Sequence, residues 1–221
     1  MYETLQKIKE IYTGADGEML VRAYAYAEKA HSAQKRASGE PYFIHPCEVA
    51  KILIDLGMNA ATIAAALLHD VTKELTVEEH LSLLDSAAEP LNEDVRAIAA
   101  LLHAQSATVC IRREFAPFAT ERVLSAVACH TAGRADMSVF DKILFIADYI
   151  EDGRTYSSCV GVRERLYAHL DAMDVAPTLA LDEALLSALD HTVTTLVGRG
   201  ARICLATILA RNALLDAISH A

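Results

Sequence analysis

The sequence contains little glycine and proline and no tryptophan. Its 221 residues include 9 glycines and 5 prolines, about half the share that these turn-forming residues have in an average protein. All-β sandwiches and barrels need frequent turns, so this composition argues against them. The chain is nevertheless 53% hydrophobic, with a mean hydropathy of +0.22, and this much apolar surface excludes a disordered chain. We therefore predict a compact helical protein.

Basic residues are also scarce. The 20 Lys and Arg residues are outnumbered by 30 Asp and Glu residues, which gives a formal net charge of −10. A nucleic-acid-binding domain needs a basic surface, so we expect no DNA or RNA partner. A small anionic substrate remains compatible with this charge if a few cations cluster at one site.

Long apolar runs and paired cysteine motifs are absent as well. No run reaches the length of a membrane span, and the first residues lack the apolar core of a signal peptide. The five cysteines are odd in number and show no CxxC spacing: Cys47, Cys110, Cys129, Cys159 and Cys204. We expect reduced, mostly core-packing thiols in a cytoplasmic protein without membrane contact.

Helical periodicity covers most of the chain and predicts an all-α fold in a single domain, 1–221, with N-terminal helices and a loop over 1–40 and a core over 41–221. Pro46 and Gly57 mark the start and the end of one helix. Stretches 105–118, 132–137, 152–161 and 172–180 are predicted to be irregular. The other predicted helices are 2–12, 17–32, 59–72, 76–86, 91–104, 119–131, 138–151, 162–171, 181–198 and 205–219.

The most informative motif is Leu67-Leu68-His69-Asp70, at the end of an apolar helix. So apolar a helix should be buried, and an unpaired charge at its inner end costs on the order of several kcal/mol. The pair therefore needs a partner, and a metal cation is the natural one. The alternative interpretation is a helix-terminal Asp beside a hydrogen-bonded core histidine.

Further histidines and a carboxylate occur in similar apolar contexts. His45 precedes Pro46, whose ring is expected to force His45 out of the α region. His103 and His130 each end a predicted apolar helix, and Asp148 follows an apolar run. Each histidine alone is more often a core residue. Together with the His–Asp pair, four imidazoles and two carboxylates suit iron, manganese or zinc better than calcium, and they fit two ions that share a bridging carboxylate.

The His–Asp pair with its flanking histidine and aspartate resembles the metal site of the HD-domain phosphohydrolase superfamily. Within it, the second half of the chain resembles the YqeK family, in His130-Thr-Ala-Gly-Arg134, Asp141-Lys142-Ile143 and the run 147–154. The resemblance implies an HD-type helical bundle and a symmetrical bis(5′-nucleosyl)-tetraphosphatase, which converts diadenosine tetraphosphate to two ADP. It also implies two divalent transition-metal ions, iron or else manganese. The implied ligands are His45, His69, Asp70, His103, His130 and Asp148, with Asp70 bridging the ions.

The segment 27–46 resembles a different branch of the superfamily, the RelA/SpoT-type (p)ppGpp hydrolases, in which it lines the nucleotide pocket. Those hydrolases follow their His–Asp pair with a Glu-Asp dyad, whereas this chain has Lys73-Glu74. We therefore favour the YqeK-like function. A (p)ppGpp 3′-pyrophosphohydrolase is the alternative, and a non-catalytic nucleotide-sensing module is a third possibility.

Three cations are candidates for contacts with substrate phosphates and, with Asp70, form the predicted catalytic set. Lys73 lies three residues after Asp70 and four after His69, on the same helix face. Arg134 and Arg154 each follow a glycine just past a predicted helix, where a guanidinium can bind phosphate through two hydrogen bonds. The alternative for each is a solvated cation at a helix end.

Other polar residues receive simpler interpretations. We expect His80 on a polar helix face. For His31 we favour a surface position, and the alternative is the pocket role that the resemblance of segment 27–46 implies. Residues 34–36 either bind a nucleotide or form a solvated loop. The alanine-rich helices pack either within one chain or across a homodimer.

Overall fold

In the computed structural model, which describes residues 1–220, the chain is all-α. These residues form twelve α-helices and one short 3₁₀ helix, and the one β-type pairing among them joins Lys35 to Pro41. The predicted fold class is confirmed. Over the same residues, every helix is too short or too polar to cross a bilayer. The chain divides into two compact units, Met1–Ala128 and Cys129–Ala221.

The first unit is built around α4, in which eight of the nine residues are buried. Helices α2 and α3 pack against α4, and its small alanine side chains allow their close approach. The His–Asp pair directly after α4 is therefore held in the interior of this unit. The helices of the first unit are α1 (Tyr2–Ile11), α2 (Gly14–Ala30), α3 (Ile44–Asp55), α4 (Ala60–Leu68), α5 (Val77–Ser86), α6 (Glu93–Arg96), α7 (Ala99–Glu114), the 3₁₀ helix Ala116–Phe118 and α8 (Glu121–Cys129), whose last residue begins the second unit.

Local sequence fixes both ends of α4. The Asn59 side chain accepts a hydrogen bond of 3.0 Å from the Thr62 N–H and caps the first turn. The preceding helix, α3, ends at Asp55, and Gly57 follows its C-cap with a φ of +69°, in agreement with the predicted closing role of this glycine. Helix α4 ends at Leu68 instead of residue 72, because the chain continues in tight turns over residues 69–74. We refer to residues 69–74 as the His–Asp turn.

The largest difference from the predicted helices lies near residue 100. The predicted helix 91–104 is two helices, α6 and α7, and α7 continues through much of 105–118, which was predicted to be irregular. The Thr108 hydroxyl donates to the carbonyl three residues earlier at 2.7 Å, and Ser106 Oγ lies 3.2 Å from the carbonyl oxygen three residues before it. These polar side chains are therefore satisfied within the helix and do not interrupt it.

In the second unit, α9 and α10 as well as α12 pack against the long helix α11. Helix α9 starts with a capping box, in which Ser138 and Asp141 exchange hydrogen bonds of 2.8 and 3.2 Å. Helix α11 starts earlier than predicted because Pro177 occupies its first position, which needs no N–H donor. The helices are α9 (Val139–Ile150), α10 (Ser157–Ala172), α11 (Pro177–Gly198) and α12 (Leu205–Ser219).

Candidate metal centre

His69 and Asp70 are both fully buried at the end of α4. The Nδ1 atom of His69 lies 2.7 Å from the carbonyl oxygen of Ala66. Since a carbonyl oxygen can only accept a hydrogen bond, Nδ1 carries a proton, and Nε2 is the ring atom that can bind an ion. This is how histidine ligands of metal ions are usually oriented.

His45 brings a second imidazole to the pair. Its Nε2 atom lies 3.2 Å from Nε2 of His69. The expectation that Pro46 would force His45 out of the α region is wrong, because α3 begins at Ile44 and includes both residues. A proline is compatible with the first turn of a helix, where the missing N–H has no intrahelical partner.

Asp70 presents its two oxygens to two different sets of imidazoles. Oδ2 lies 3.4 Å from Nε2 of His69 and 3.6 Å from Nε2 of His45. Oδ1 lies 3.1 Å from Nε2 of His103. His103 stands near the start of α7 and not at the end of a helix as predicted. The structure therefore brings four of the six predicted ligands together within the first unit.

Two further donors reach Oδ2 of Asp70. The Tyr42 hydroxyl donates a hydrogen bond of 2.6 Å, and the Lys73 ammonium donates one of 2.9 Å. The Lys73 side chain is 34% exposed, whereas that of Asp70 is 1% exposed, so Lys73 connects the buried carboxylate to solvent. Tyr42 was not predicted as a site residue, although it lies in the segment 27–46.

The cluster has the chemistry and the spacing of a transition-metal site. Two ligand atoms bound to one ion at 2.0–2.2 Å lie about 3.0–3.6 Å apart, which is the range of the distances between these nitrogen and oxygen atoms. Imidazole and carboxylate together suit iron, manganese and zinc. The residues present therefore fit a divalent metal.

The other predicted site residues belong to the second unit. His130 is buried just after α8. Asp148, on α9, accepts a hydrogen bond of 2.5 Å from Arg154. Arg134 contacts two carboxylates, Asp136 at 3.2 Å and the buried Asp141 at 3.3 Å. Both arginines are thus paired within this unit.

Two histidines that were expected to be exposed are buried, so both expectations are wrong. His31 is 1% exposed, and its Nδ1 lies 2.7 Å from Oε1 of Gln34. His80 is 3% exposed, and its Nδ1 lies 2.8 Å from Oγ of Ser106, because α5 packs against α7. Burial lowers the pKa of both imidazoles.

The thiols are reduced, as expected, and all except that of Cys110 are buried. Burial raises the pKa of Cys47 and of Cys129 to about 12. These thiols are therefore uncharged and fill the core.

A protein-family model described as "HD domain" matches residues 23–108. Residues 23–108 are therefore similar to an HD domain. The match includes His45, His69, Asp70 and His103, the four residues that the structure brings together. The bundle has the fold of the HD superfamily hydrolases.

Among curated proteins, the chain is 47% identical over 75 residues to the GTP pyrophosphokinase rsh of Brucella ovis, a match that covers 34% of this chain and 10% of that protein. It is 50% identical over 66 residues to the bifunctional (p)ppGpp synthase/hydrolase RelA of Mycobacterium tuberculosis, which covers 30% of this chain and 9% of that protein. The matched region thus spans about a tenth of the length of these relatives.

A solved structure is similar over nearly the whole chain. It is a predicted HD superfamily hydrolase involved in NAD metabolism from Clostridium acetobutylicum, with a TM-score of 0.71 and 25% sequence identity. The similarity covers 89% of this chain and 96% of that one. The likeness therefore extends beyond the residues that match the RelA-type proteins.

Proposed function

We propose that this HD-domain hydrolase cleaves dinucleoside polyphosphates symmetrically and converts diadenosine tetraphosphate to two ADP. One observation carries the proposal: Asp70 divides its oxygens between His45 and His69 on one side and His103 on the other. A carboxylate in this position is suited to bridge two metal ions. Paired ions suit the hydrolysis of a phosphoanhydride.

Six side chains are the proposed ligands of the pair of ions. His45, His69, Asp70 and His103 are the ligands from the first unit, and we assign His130 and Asp148 as ligands on the basis of their sequence motifs. When bound, iron or manganese ions polarise phosphoryl oxygens and lower the pKa of water.

The cations of the chain provide the remaining charge complementarity. Lys73 is the cation next to the buried cluster, and its partly exposed ammonium can bind a phosphate oxygen while it stays close to Asp70. We assign the same role to Arg134 and Arg154, whose side chains are 40% and 28% exposed. Local positive charge of this kind is needed because the chain as a whole is acidic.

A second candidate function is (p)ppGpp pyrophosphohydrolase. It is favoured by the similarity of the HD domain to RelA-type proteins, one of which is named as a (p)ppGpp hydrolase. Two features of the site favour the dinucleoside polyphosphate instead. A cation, Lys73, stands where the (p)ppGpp hydrolases have the first acid of their dyad, and the third imidazole, His103, contacts Asp70.

Product analysis distinguishes these functions. Protein stripped with a chelator and reloaded with ferrous or manganous ions is incubated with diadenosine tetraphosphate and, separately, with ppGpp, and the nucleotides are resolved by chromatography. We expect two ADP per diadenosine tetraphosphate. GDP and pyrophosphate from ppGpp would instead support the second candidate, and tight nucleotide binding without any product would support a sensing module.

Matched variants test whether the cluster is responsible for the activity. Asp70→Asn should abolish ADP formation, because it removes the charge that the two sets of imidazoles share. Asp55→Asn is the control, since Asp55 forms an exposed ion pair with Lys7 and should retain wild-type activity. Activity that persists in Asp70→Asn would contradict the proposed centre.

A further inference from the structure

A chain of three buried hydrogen bonds connects α5, α7 and the His–Asp turn. His80 Nδ1 lies 2.8 Å from Ser106 Oγ, which lies 2.8 Å from Thr72 Oγ1. Thr72 Oγ1 lies 2.9 Å from the carbonyl oxygen of His103. We call His80, Ser106 and Thr72 the polar clamp. All three residues are buried.

The donors and acceptors of the polar clamp fix its direction. The His103 carbonyl can only accept, so the Thr72 hydroxyl donates to it. Thr72 Oγ1 then accepts from Ser106, and Ser106 accepts from the Nδ1–H of His80. Every hydroxyl thus donates once and accepts once, and His80 supplies the first proton. Without a donor at position 80, Ser106 loses the hydrogen bond that it accepts from α5.

The Thr72 end of the polar clamp joins the segments that carry two partners in the candidate metal centre. Thr72 follows Asp70 by two residues in the His–Asp turn, and the clamped carbonyl belongs to His103 itself. The clamp therefore sets the separation between Asp70 Oδ1 and the His103 ring, which is 3.1 Å. His45 and His69 lie on or next to α3 and α4 and do not depend on this connection.

We propose that the polar clamp positions His103 against Asp70 and thereby maintains one of the two metal positions selectively. This inference rests on the proposed function, because it assumes an ion on each side of Asp70. His80, Ser106 and Thr72 act through His103 and are positioning residues. Residues that orient metal ligands typically change metal affinity or activity by about 10–100-fold when they are replaced.

A purely structural role makes a different prediction. If the clamp only stabilised the packing of α5 on α7, its loss would lower the melting temperature and leave the ratio of metal ions to chains unchanged. If the clamp positions His103, its loss weakens metal binding on the His103 side of Asp70. Metal binding by His45 and His69 is then unchanged. The number of ions bound per chain therefore distinguishes the two roles.

The experiment uses variants that alter the clamp with little change in shape. His80→Leu and Thr72→Val remove a donor, and Ser106→Ala removes only a hydroxyl. His80→Asn keeps an N–H near the position of Nδ1 and should restore the clamp. Thr62→Val is the matched control, because it removes another buried hydroxyl at the far end of α4, where Thr62 bonds to Asn59.

Manganese binding to the full chain is titrated and counted per chain by elemental analysis, alongside the melting temperature. We expect two ions in the wild type, in His80→Asn and in Thr62→Val. In His80→Leu and Thr72→Val, the affinity for the more weakly bound ion should fall by about 10–100-fold. The affinity for the more tightly bound ion should stay unchanged. If either variant does not fold, Ser106→Ala provides the same comparison.

Two results would overturn the inference, and they differ in what else they affect. Wild-type affinity for both ions in all folded clamp variants, or an equal loss in Thr62→Val, would overturn the polar clamp alone. A wild-type chain that binds fewer than two ions at saturating manganese would overturn the paired metal centre and the clamp together.

Discussion

Lys73 Nζ lies 2.9 Å from Oδ2 of Asp70, so a partly exposed cation and a buried carboxylate share one hydrogen bond at the edge of the candidate metal centre. The aromatic ring of Tyr42 lies beside this pair, with its centroid 5.2 Å from Nζ. A cation held in this way next to a cluster of ligands is well placed to meet an anionic substrate.

Replacement of Lys73 tests this role. Lys73→Gln should lower kcat/KM for diadenosine tetraphosphate by about 100-fold, because loss of one fixed donor to a transition-state oxygen costs about that much in other enzymes. Steady-state kinetics by chromatographic detection of ADP provides the measurement. Lys7→Gln, which removes a surface cation paired with Asp55, should behave as the wild type. Equal kinetics in the two variants would exclude a role for Lys73.

The Tyr42 hydroxyl is the second donor to Asp70. Tyr42→Phe removes a hydrogen bond of 2.6 Å and should weaken metal binding or activity by about 10-fold, because it alters the orientation of a ligand. Metal affinity and turnover are measured on the same preparation. Tyr2→Phe, at an exposed position, should change neither. A Tyr42→Phe variant with wild-type affinity and turnover would contradict the expected role.

The pKa of His80 predicts how stability depends on pH. Burial lowers this pKa, with a further contribution from the nearby His103 and an opposing one from Glu79. Below about pH 6.5 the unfolded chain binds a proton at this residue before the folded chain does. Folding stability from His80 is therefore fully present above that pH and is lost as the pH falls toward the lowered pKa.

Chemical denaturation of chelator-treated protein between pH 8 and pH 5 measures this effect. The free energy of unfolding should decrease more steeply on acidification in the wild type than in His80→Asn, which cannot titrate at this position. His31, whose pKa is also lowered by burial, is present in both proteins and cancels in the comparison. Parallel pH profiles would contradict the assignment.

Two glycines of the second unit should respond to alanine in opposite directions. Gly133 has a φ of +70°, and a Cβ atom there would lie 3.1 Å from Cβ of Ala210. Gly133→Ala should therefore lower the free energy of unfolding by about 1–2 kcal/mol. Gly161→Ala, inside α10 with no atom within 4 Å of the new Cβ, should raise it by about 0.5–1 kcal/mol. Thermal or chemical denaturation of both variants shows whether each substitution raises or lowers the free energy of unfolding.

Much of the fold could be predicted from the sequence because apolar periodicity marks helices directly. The capping signal at Gly57 is visible in the sequence, and the proposed ligands His45, His69, Asp70 and His103 stand out as polar residues in apolar contexts. For these residues, the local sequence alone indicates burial.

The polar clamp and Tyr42 could not be predicted in this way. Helix α5 contains both polar and apolar residues, so its sequence pattern does not show whether a histidine on it is buried or exposed. Burial of His80 depends on its partner on another helix. That partner, Ser106, lies within residues 105–118, which the sequence predicts to be irregular. Its position on α7 could therefore not be predicted. Contacts between distant segments depend on how the helices pack, and periodicity carries no information about the partner.

The hydrogen bond between His69 Nδ1 and the Ala66 carbonyl limits what this histidine can do in any reaction. Because Nδ1 donates its proton to the backbone, only Nε2 of the ring can bind an ion, and a nitrogen that coordinates an ion cannot also transfer protons. His69 can therefore bind an ion but cannot also act as a general acid or base. Protonation of a departing nucleotide must then come from solvent or from a more accessible neutral or cationic acid, and within the first unit Lys73 and Tyr42 are the acids that already contact the cluster.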